Sequence, residues 1–383
     1  MKISKLIPII AFLAINPGQA QNRVFIPDIK GYKTLQCDFH THTIFSDGTV
    51  WPTVRIDEAY REGLDAISIT EHIYQVEGIV REQDNLYEGR RRLLELERLS
   101  DISFRGLSHN ISYELAQPSA KERNIILIRG SEITRDMPPG HHNAIFINNS
   151  DELVKHDFMD AFRAAKAQNA FFFWNHPGYL RQSPDTTLWW PEHTLLQQQG
   201  MMQGIEVANG DTYCVEAHRW ALEKKLTLIG SSDIHAPMPN LAAGQHRTMT
   251  LVFAKERTAE SIHEALKERR TAVYFNEYVI GEEKYLKELF ESAVDINVTR
   301  TGNTAQIRLT NKSDLIFLLK SASHDARLLY FRNTYLEPVT IAPQGTFTIS
   351  VRLNDGITGG DVNFSVDNFL IEPNRGMRFT VRI

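Results

Sequence analysis

Histidines and carboxylates take a recurring position along this chain. His40 and His42 follow the apolar run Leu35–Phe39, one residue apart, and Asp47 comes next in Phe45-Ser46-Asp47-Gly48. Glu71-His72 ends the run Ala66–Thr70, and Glu132 follows Ile125–Arg129. Pro139-Gly140-His141-His142 leads into Asn143–Ile147, and Asn175-His176-Pro177 follows Ala170–Trp174. Glu206 stands in Gly204–Val207, and Ser232-Asp233-Ile234-His235 follows Thr227–Ile229. His-x-His on extended backbone puts both rings on the same side, because side chains repeat every second residue. Asp233-x-His235 repeats the device. Brought together without a counter-charge, such groups would repel one another or lose solvation at a cost of several kcal/mol. Bound divalent cations resolve both problems, and imidazole with carboxylate suits zinc, manganese or iron.

The apolar runs are what must position these groups. Each is short and mostly uniformly apolar, as strands buried on both faces are. Between them, Thr53–Glu62, Asp84–Leu99, Asp151–Gln168, Cys214–Lys225 and Ala259–Arg269 carry apolar residues at helical spacing. Strand-helix alternation predicts a parallel sheet, most simply closed into a barrel, over residues 21–280. Parallel strands deliver the residues past their C-terminal ends to one face. That face would gather His40, His42, Asp47, His72, Glu132, His141 or His142, His176, Asp233 and His235.

After residue 290 helical spacing stops. Val294–Val298, Gln306–Thr310, Ile316–Leu319, Leu328–Phe331, Phe347–Val351 and Arg378–Ile383 read as strands between turn residues such as Thr301-Gly302-Asn303. They predict a small β-sandwich over 290–383, with Tyr278–Ser292 as the connection. At the other end, Lys2 and Lys5 precede the apolar run Leu6–Ile15 and then Asn16–Ala20, the pattern of a secretory signal over 1–20. That run is about half the ~20 residues that span a bilayer. The expectation is an exported protein, periplasmic or secreted, with no membrane-spanning segment in the mature chain.

The formal charge is −5, and removal of 1–20 takes away two lysines and no acid. That argues against a dedicated nucleic-acid-coating surface. It leaves room for a small phosphate substrate, because bound metals supply local positive charge. Cys37 and Cys214 are the two cysteines, read as separate buried thiols. Oligomeric state is not legible.

Asp38-Phe39-His40-Thr41-His42 with Ser46-Asp47-Gly48, then Thr70-Glu71-His72, Glu132, Pro139-Gly140-His141, Asn175-His176-Pro177 and Ser232-Asp233-Ile234-His235, taken in this order, resemble the polymerase and histidinol phosphatase (PHP) superfamily. An exported chain with a β tail resembles its Sb-PDE-type phosphodiesterases. The resemblance implies an α/β fold, a distorted (β/α)7 TIM-like barrel, holding two or three divalent metal ions. It implies hydrolysis of small-molecule phosphate esters, foremost phosphodiesters, by a metal-bridging hydroxide. Carried over by motif, His40, His42, Glu132 and Asp233 hold one metal, and Glu132 bridges to a second held by His141 and His176. Asp47, His72 and His235 hold a third. The resemblance favours His141 over His142.

With the third place empty, His235 or His72 would supply the leaving group's proton. Glu206 either orients a ligand histidine or is an ordinary strand-end carboxylate. Arg247, in the loop after the last motif, is the candidate phosphate-binding residue; the alternative is a salt bridge to a nearby acid. Arg181, Trp189 and Trp190 lie in a loop, Tyr179–His193, that either covers the pocket or contributes its tryptophans to the core. Other readings are a phosphomonoesterase, a hydrolase of esters or amides without phosphorus, and a non-catalytic metal or ligand carrier.

Overall fold

Phe171-Phe172-Phe173-Trp174 is apolar at every position because both faces of the strand it forms are buried. The same holds around most of the barrel. The computed structural model describes residues 22–74, 108–183, 185–242, 244–322, 338–354 and 356–383, and the backbone of 328–330. The expected secretory segment 1–20 lies outside these residues, as does the expected helix Asp84–Leu99.

The barrel strands are β1 (Lys33–Asp38), β2 (Ala66–Ile69), β3 (His72–Ile73), β4 (Ile126–Ile133), β5 (His142–Ile145), β6 (Phe171–Trp174), β7 (Gly204–Asn209) with its hairpin partner β8 (Thr212–Tyr213), β9 (Thr227–Ser231) and β10 (Met249–Ala254). β11 (Thr271–Phe275) and β12 (Tyr278–Gly281) extend the sheet outward from β10. The order β10-β1-β2-β4-β5-β6-β7-β9 runs round the barrel.

Side-chain hydrogen bonds complete the circle. Gly230 N donates to Thr250 Oγ1 (3.0 Å), which donates to Gly230 O (2.8 Å), and Thr271 Oγ1 donates to Leu228 O (2.8 Å). Glycine is required at this closure, because a Cβ on residue 230 would lie 2.3 Å from Val273 Cγ1.

The barrel is not uniformly parallel. β5 runs antiparallel to both β4 and β6, and β10 antiparallel to β1. Only residues 134–141 connect β4 to β5, too few for the dozen or so that a parallel crossover needs. His141, just before an antiparallel strand, thereby reaches the same face as residues just after parallel ones.

Helices α1 (Pro52–Glu62), α2 (Ile111–Glu122), α3 (Phe158–Ala167), α4 (Pro191–Gln198), α5 (Val215–Glu223) and α6 (Ala259–Lys267) surround the strands. α1 begins with Pro52, whose missing N–H is not needed there, and ends at Gly63 with φ +77°. The expected helix Asp151–Gln168 divides. Asp157 leaves the helical conformation and its carboxylate caps α3, accepting from Met159 N (2.8 Å) and Asp160 N (3.3 Å). Among the described residues no helix is long and apolar enough to cross a membrane.

Helix α7 (Glu283–Ala293) leads into a sandwich of β13 (Val294–Thr301), β14 (Thr304–Asn311), β15 (Phe317–Ser321), β16 (Leu328–Tyr330), β17 (Val339–Ile341), β18 (Thr346–Leu353), β19 (Asp361–Glu372) and β20 (Arg375–Arg382). One sheet is β13-β14-β18-β16; the other holds β17, β15, β19 and β20. β14 and β18 alternate buried and exposed positions, as strands with one solvated face do. The second sheet is continuous with the barrel: β12 pairs parallel with β19 at Val279↔Phe369 and Ile280↔Leu370. One apolar core accordingly joins Leu286 and Phe290 of α7 to Phe317, Phe364 and Phe369 of the sandwich.

Candidate metal centre

The two spaced pairs are held together by backbone. Asp233 N donates to His40 O (2.9 Å) and His42 N to Ile234 O (3.1 Å), so the ends of β1 and β9 advance side by side. His40 Nε2 lies 3.0 Å from His42 Nε2, 3.1 Å from Asp233 Oδ1 and 3.4 Å from Glu132 Oε2. His42 Nε2 lies 3.3 Å from Glu132 Oε2 and 3.2 Å from Asp233 Oδ1. Four ligand atoms at bond lengths near 2.05 Å around a tetrahedral zinc stand about 3.3 Å apart, so this spacing fits one ion.

The other carboxylate oxygens face different rings. Glu132 Oε1 is 2.8 Å from His141 Nδ1 and 3.5 Å from His176 Nε2, and His176 Nε2 is 4.0 Å from Asp233 Oδ2. Asp47 lies between His72 Nε2 (3.3 Å) and His235 Nε2 (3.1 Å). His72 Nδ1 is 2.9 Å from Glu132 Oε2, so His72 adjoins both groups. All nine expected residues stand in one cluster. His142 faces away, buried against Phe162 and Trp174, and burial pushes it well below its usual pKa.

The residues fit divalent ions on a structural ground. Glu132 Oε2 and Asp233 Oδ1 are buried, point into the cluster and make no well-aligned hydrogen bond, although ring nitrogens stand 2.9 to 3.4 Å away. Unsatisfied carboxylate oxygens in that position are costly unless a cation meets them. Burial by itself would raise the Glu132 carboxyl, but His72, His141 and His40 hold it well below the ordinary range. Burial likewise opposes ionisation of Asp233, and His40 and His42 more than offset it.

Neighbouring groups fix the rings. Glu206 Oε1 lies 2.9 Å from His40 Nδ1, and its Oε2 accepts from His176 N (2.7 Å) and Asn209 Nδ2 (2.8 Å). A proton held on Nδ1 by this carboxylate leaves the His40 Nε2 lone pair facing the cluster. Glu206 therefore orients a ring. Asn175 Nδ2 donates to Glu132 Oε1 (3.0 Å) and Asn143 Oδ1 (2.9 Å). Glu71 accepts from Thr43 and Ser46, holding the loop that carries Asp47.

Arg247 does not face substrate, contrary to expectation. It is 4% exposed, and it donates to Glu62 through Nε (2.8 Å) and Nη2 (3.0 Å) and to Asp38 Oδ2 through Nη1 (2.9 Å). A guanidinium fork is satisfied by this pair of buried carboxylates. Asp38 in turn accepts from Ser232 Oγ (2.5 Å), Ser232 N (3.2 Å) and His40 N (3.3 Å). Arg247 thus braces the two strand ends from below. Trp189 packs edge-on to Trp174 and Trp220, and so belongs to the core. Cys37 and Cys214 are buried and unpaired.

A two-domain protein from Bacteroides vulgatus, containing a predicted PHP-like metal-dependent phosphoesterase, shares 48% of its residues with this chain. The match covers 96% of this chain and 100% of that one, with a TM-score of 0.84. The chain belongs to the PHP-like metal-dependent phosphoesterases. Membership carries metal-dependent hydrolysis of phosphate esters with it. Residues 291–382 of this PHP-like protein match an Ig-like domain family. No curated protein matches the sequence. Two more distant structures match at TM-scores of 0.40 and 0.37. They are a candidate metal-dependent phosphoesterase from Bifidobacterium adolescentis (15% identity over 60% of this chain and 95% of that one) and an amidohydrolase from Chromobacterium violaceum (16% identity, 62% and 97%).

Asp38, Glu71, Asn143 and Asn175 support this PHP-like site without being singled out by the sequence. Asp38 and Glu71 adjoin motif histidines, and Asn175 precedes His176. A polar residue at the end of a buried strand was the signal available.

Proposed function

We propose that this protein is an exported phosphodiesterase of the Sb-PDE type, acting through two or three zinc, manganese or iron ions. The observation that carries the reading is Glu132, whose two oxygens face different sets of imidazoles, as a bridging carboxylate must. His40, His42, Glu132 and Asp233 would hold one ion; Glu132, His141 and His176 a second; Asp47, His72 and His235 a third. Bound there, such ions would acidify a coordinated water and neutralise the phosphoryl oxygens. The choice of diesters and of an exported location rests on the resemblance in sequence and on the 1–20 pattern.

The chain's own groups do the rest. Glu206 and Asn175 keep His40 and Glu132 oriented before substrate arrives, which removes reorganisation from the reaction step. His235 Nδ1 donates to Asp233 O (2.7 Å), which leaves Nε2 facing Asp47 Oδ1 at 3.1 Å. Carboxylate and ring nitrogen meet favourably there with a proton on Nε2 or a cation between them. With the third place empty and that proton in place, His235, with 36% of its side chain exposed, would deliver it to a leaving alkoxide.

The test is metal analysis of purified protein together with a paired panel of aryl phosphate diesters and monoesters. Diester turnover that rises with metal content is expected. Monoester turnover alone would replace diesterase by monoesterase, and no turnover of either at full metal content would favour a carrier.

A further inference from the structure

A second cavity lies outside the barrel, where the sheet passes into the Ig-like domain. Its volume is about 700 Å³, and both domains line it. On one wall stand Tyr213 of β8, Phe275 of β11 and Tyr278 of β12. Tyr213 is fixed by its hydroxyl, 2.8 Å from His218 Nδ1. The sandwich contributes the outer face of its second sheet. There the register sets Lys320 opposite Ser365, and Ser365 opposite Arg378, a straight row across β15, β19 and β20. Strand spacing places the two cations' backbones about 10 Å apart, within converging reach of their long side chains.

Among the described residues no acid is ion-paired with this row. Arg375, at the rim, is paired with Glu372. Asp367 also lines the cavity, and its carboxylate accepts from Ser365 Oγ (2.7 Å). Lys320 and Arg378 have no ion pair among the described residues. A cavity lined by aromatic residues of the barrel and by sandwich cations without an ion pair among the described residues has the surface of a ligand site, and domain junctions are where such sites concentrate. The ring wall favours stacking, and an ammonium with a guanidinium favours an acidic oxygen group.

The geometry points to a binding site for a small anionic aromatic ligand, a planar ring bearing a phosphonate-like or carboxylate group, held between barrel and Ig-like domain and separate from the metal centre. The site is independent of the ester hydrolysed, and its occupant would join the two domains.

The experiment uses the full chain and titration calorimetry with phenylphosphonate, benzoate and inorganic phosphate. Asp233→Ala is the background, chosen to remove phosphonate binding at the metal centre. Phenylphosphonate or benzoate should still bind, and the tighter of the two identifies the acid. Adding Lys320→Ala and Arg378→Ala should weaken that binding about tenfold or more. The same pair in the wild-type background should leave ester turnover and thermal midpoint unchanged, since both side chains are at least partly exposed. Inorganic phosphate should bind at least about tenfold more weakly than the ring-bearing probe. The inference is overturned if Asp233→Ala binds neither aromatic probe, if the paired substitutions leave the affinity unchanged, or if phosphate binds equally well. Metal retained in Asp233→Ala would count against the proposed centre instead, and is read separately by metal analysis.

Discussion

The barrel's upper face and the Ig-like sandwich treat buried polar atoms in opposite ways. In the sandwich they are few and satisfied. Asn311 Nδ2 donates to Leu315 O (2.7 Å) and Ala342 O (2.9 Å), and Asn368 Nδ2 to Glu277 O (2.6 Å) and Ile316 O (2.8 Å). Among the described residues of the sandwich no buried side-chain nitrogen or oxygen lacks a partner, whereas Glu132 Oε2 and Asp233 Oδ1 of the barrel do. Barrel atoms away from the cluster, such as Trp174 Nε1 and His263 Nε2, also lack partners; at the cluster the open atoms include carboxylate oxygens facing several imidazoles, where cations would complete the shell.

The largest effect expected from this contrast is at Asp233. Asp233→Ala should lose bound metal and reduce turnover by about a thousandfold or more, because metal ions supply several kcal/mol of transition-state stabilisation. Metal content and turnover both intact would erase the contrast.

Arg247→Met and Phe364→Ala form a matched pair. The first leaves Asp38 and Glu62 buried without their cation, and the second empties a fully buried ring site in the sandwich. Each should cost about 3–5 kcal/mol in urea unfolding. Metal affinity should fall only for Arg247→Met, since Asp38 ties down His40 and Ser232. Equal metal affinity in the two variants would reduce Arg247 to a generic stabiliser.

Acid should act through the barrel. Burial pushes His193 down to about 4, against about 6.5 in an unfolded chain. The unfolded chain therefore takes up this proton first as pH falls. Stability is complete above about pH 6.5 and declines toward pH 4, by about 3 kcal/mol for this ring. Urea unfolding across that window should show the decline, and His193→Gln should flatten it; an unchanged slope would assign the acid sensitivity elsewhere.

The smallest effect is at Glu206. Glu206→Gln keeps the shape and removes the charge behind His40 Nδ1, so metal affinity should drop about 10- to 100-fold with the fold intact. An unchanged affinity would show that His40 needs no such orientation.

Much of the centre was legible because its groups sit beside strand ends, where a barrel converges. The direction of β5 was not, since an apolar run reads the same either way; only the short β4–β5 loop betrays it. α2 was missed because Pro118 interrupts its pattern. β19 was missed although it runs for twelve residues, because Asp367 and Asn368 break the apolar alternation where the strand passes from sandwich to barrel. Arg247 was misassigned for a different reason. Its partners, Glu62 and Asp38, are remote in sequence, and the loop's nearness to the last motif suggested the wrong neighbour.

The lateral pairing of β12 with β19 makes the tail difficult to remove. A fragment ending near residue 290 would strip β12 of one of its two hydrogen-bonding neighbours and bare the side of α7 that carries Leu286 and Phe290. Such an edge invites self-association. Exchanging this Ig-like module for one from another enzyme would succeed only if the donor supplied a strand able to dock in the same register, so catalytic half and appendage are expected to be inherited as one piece.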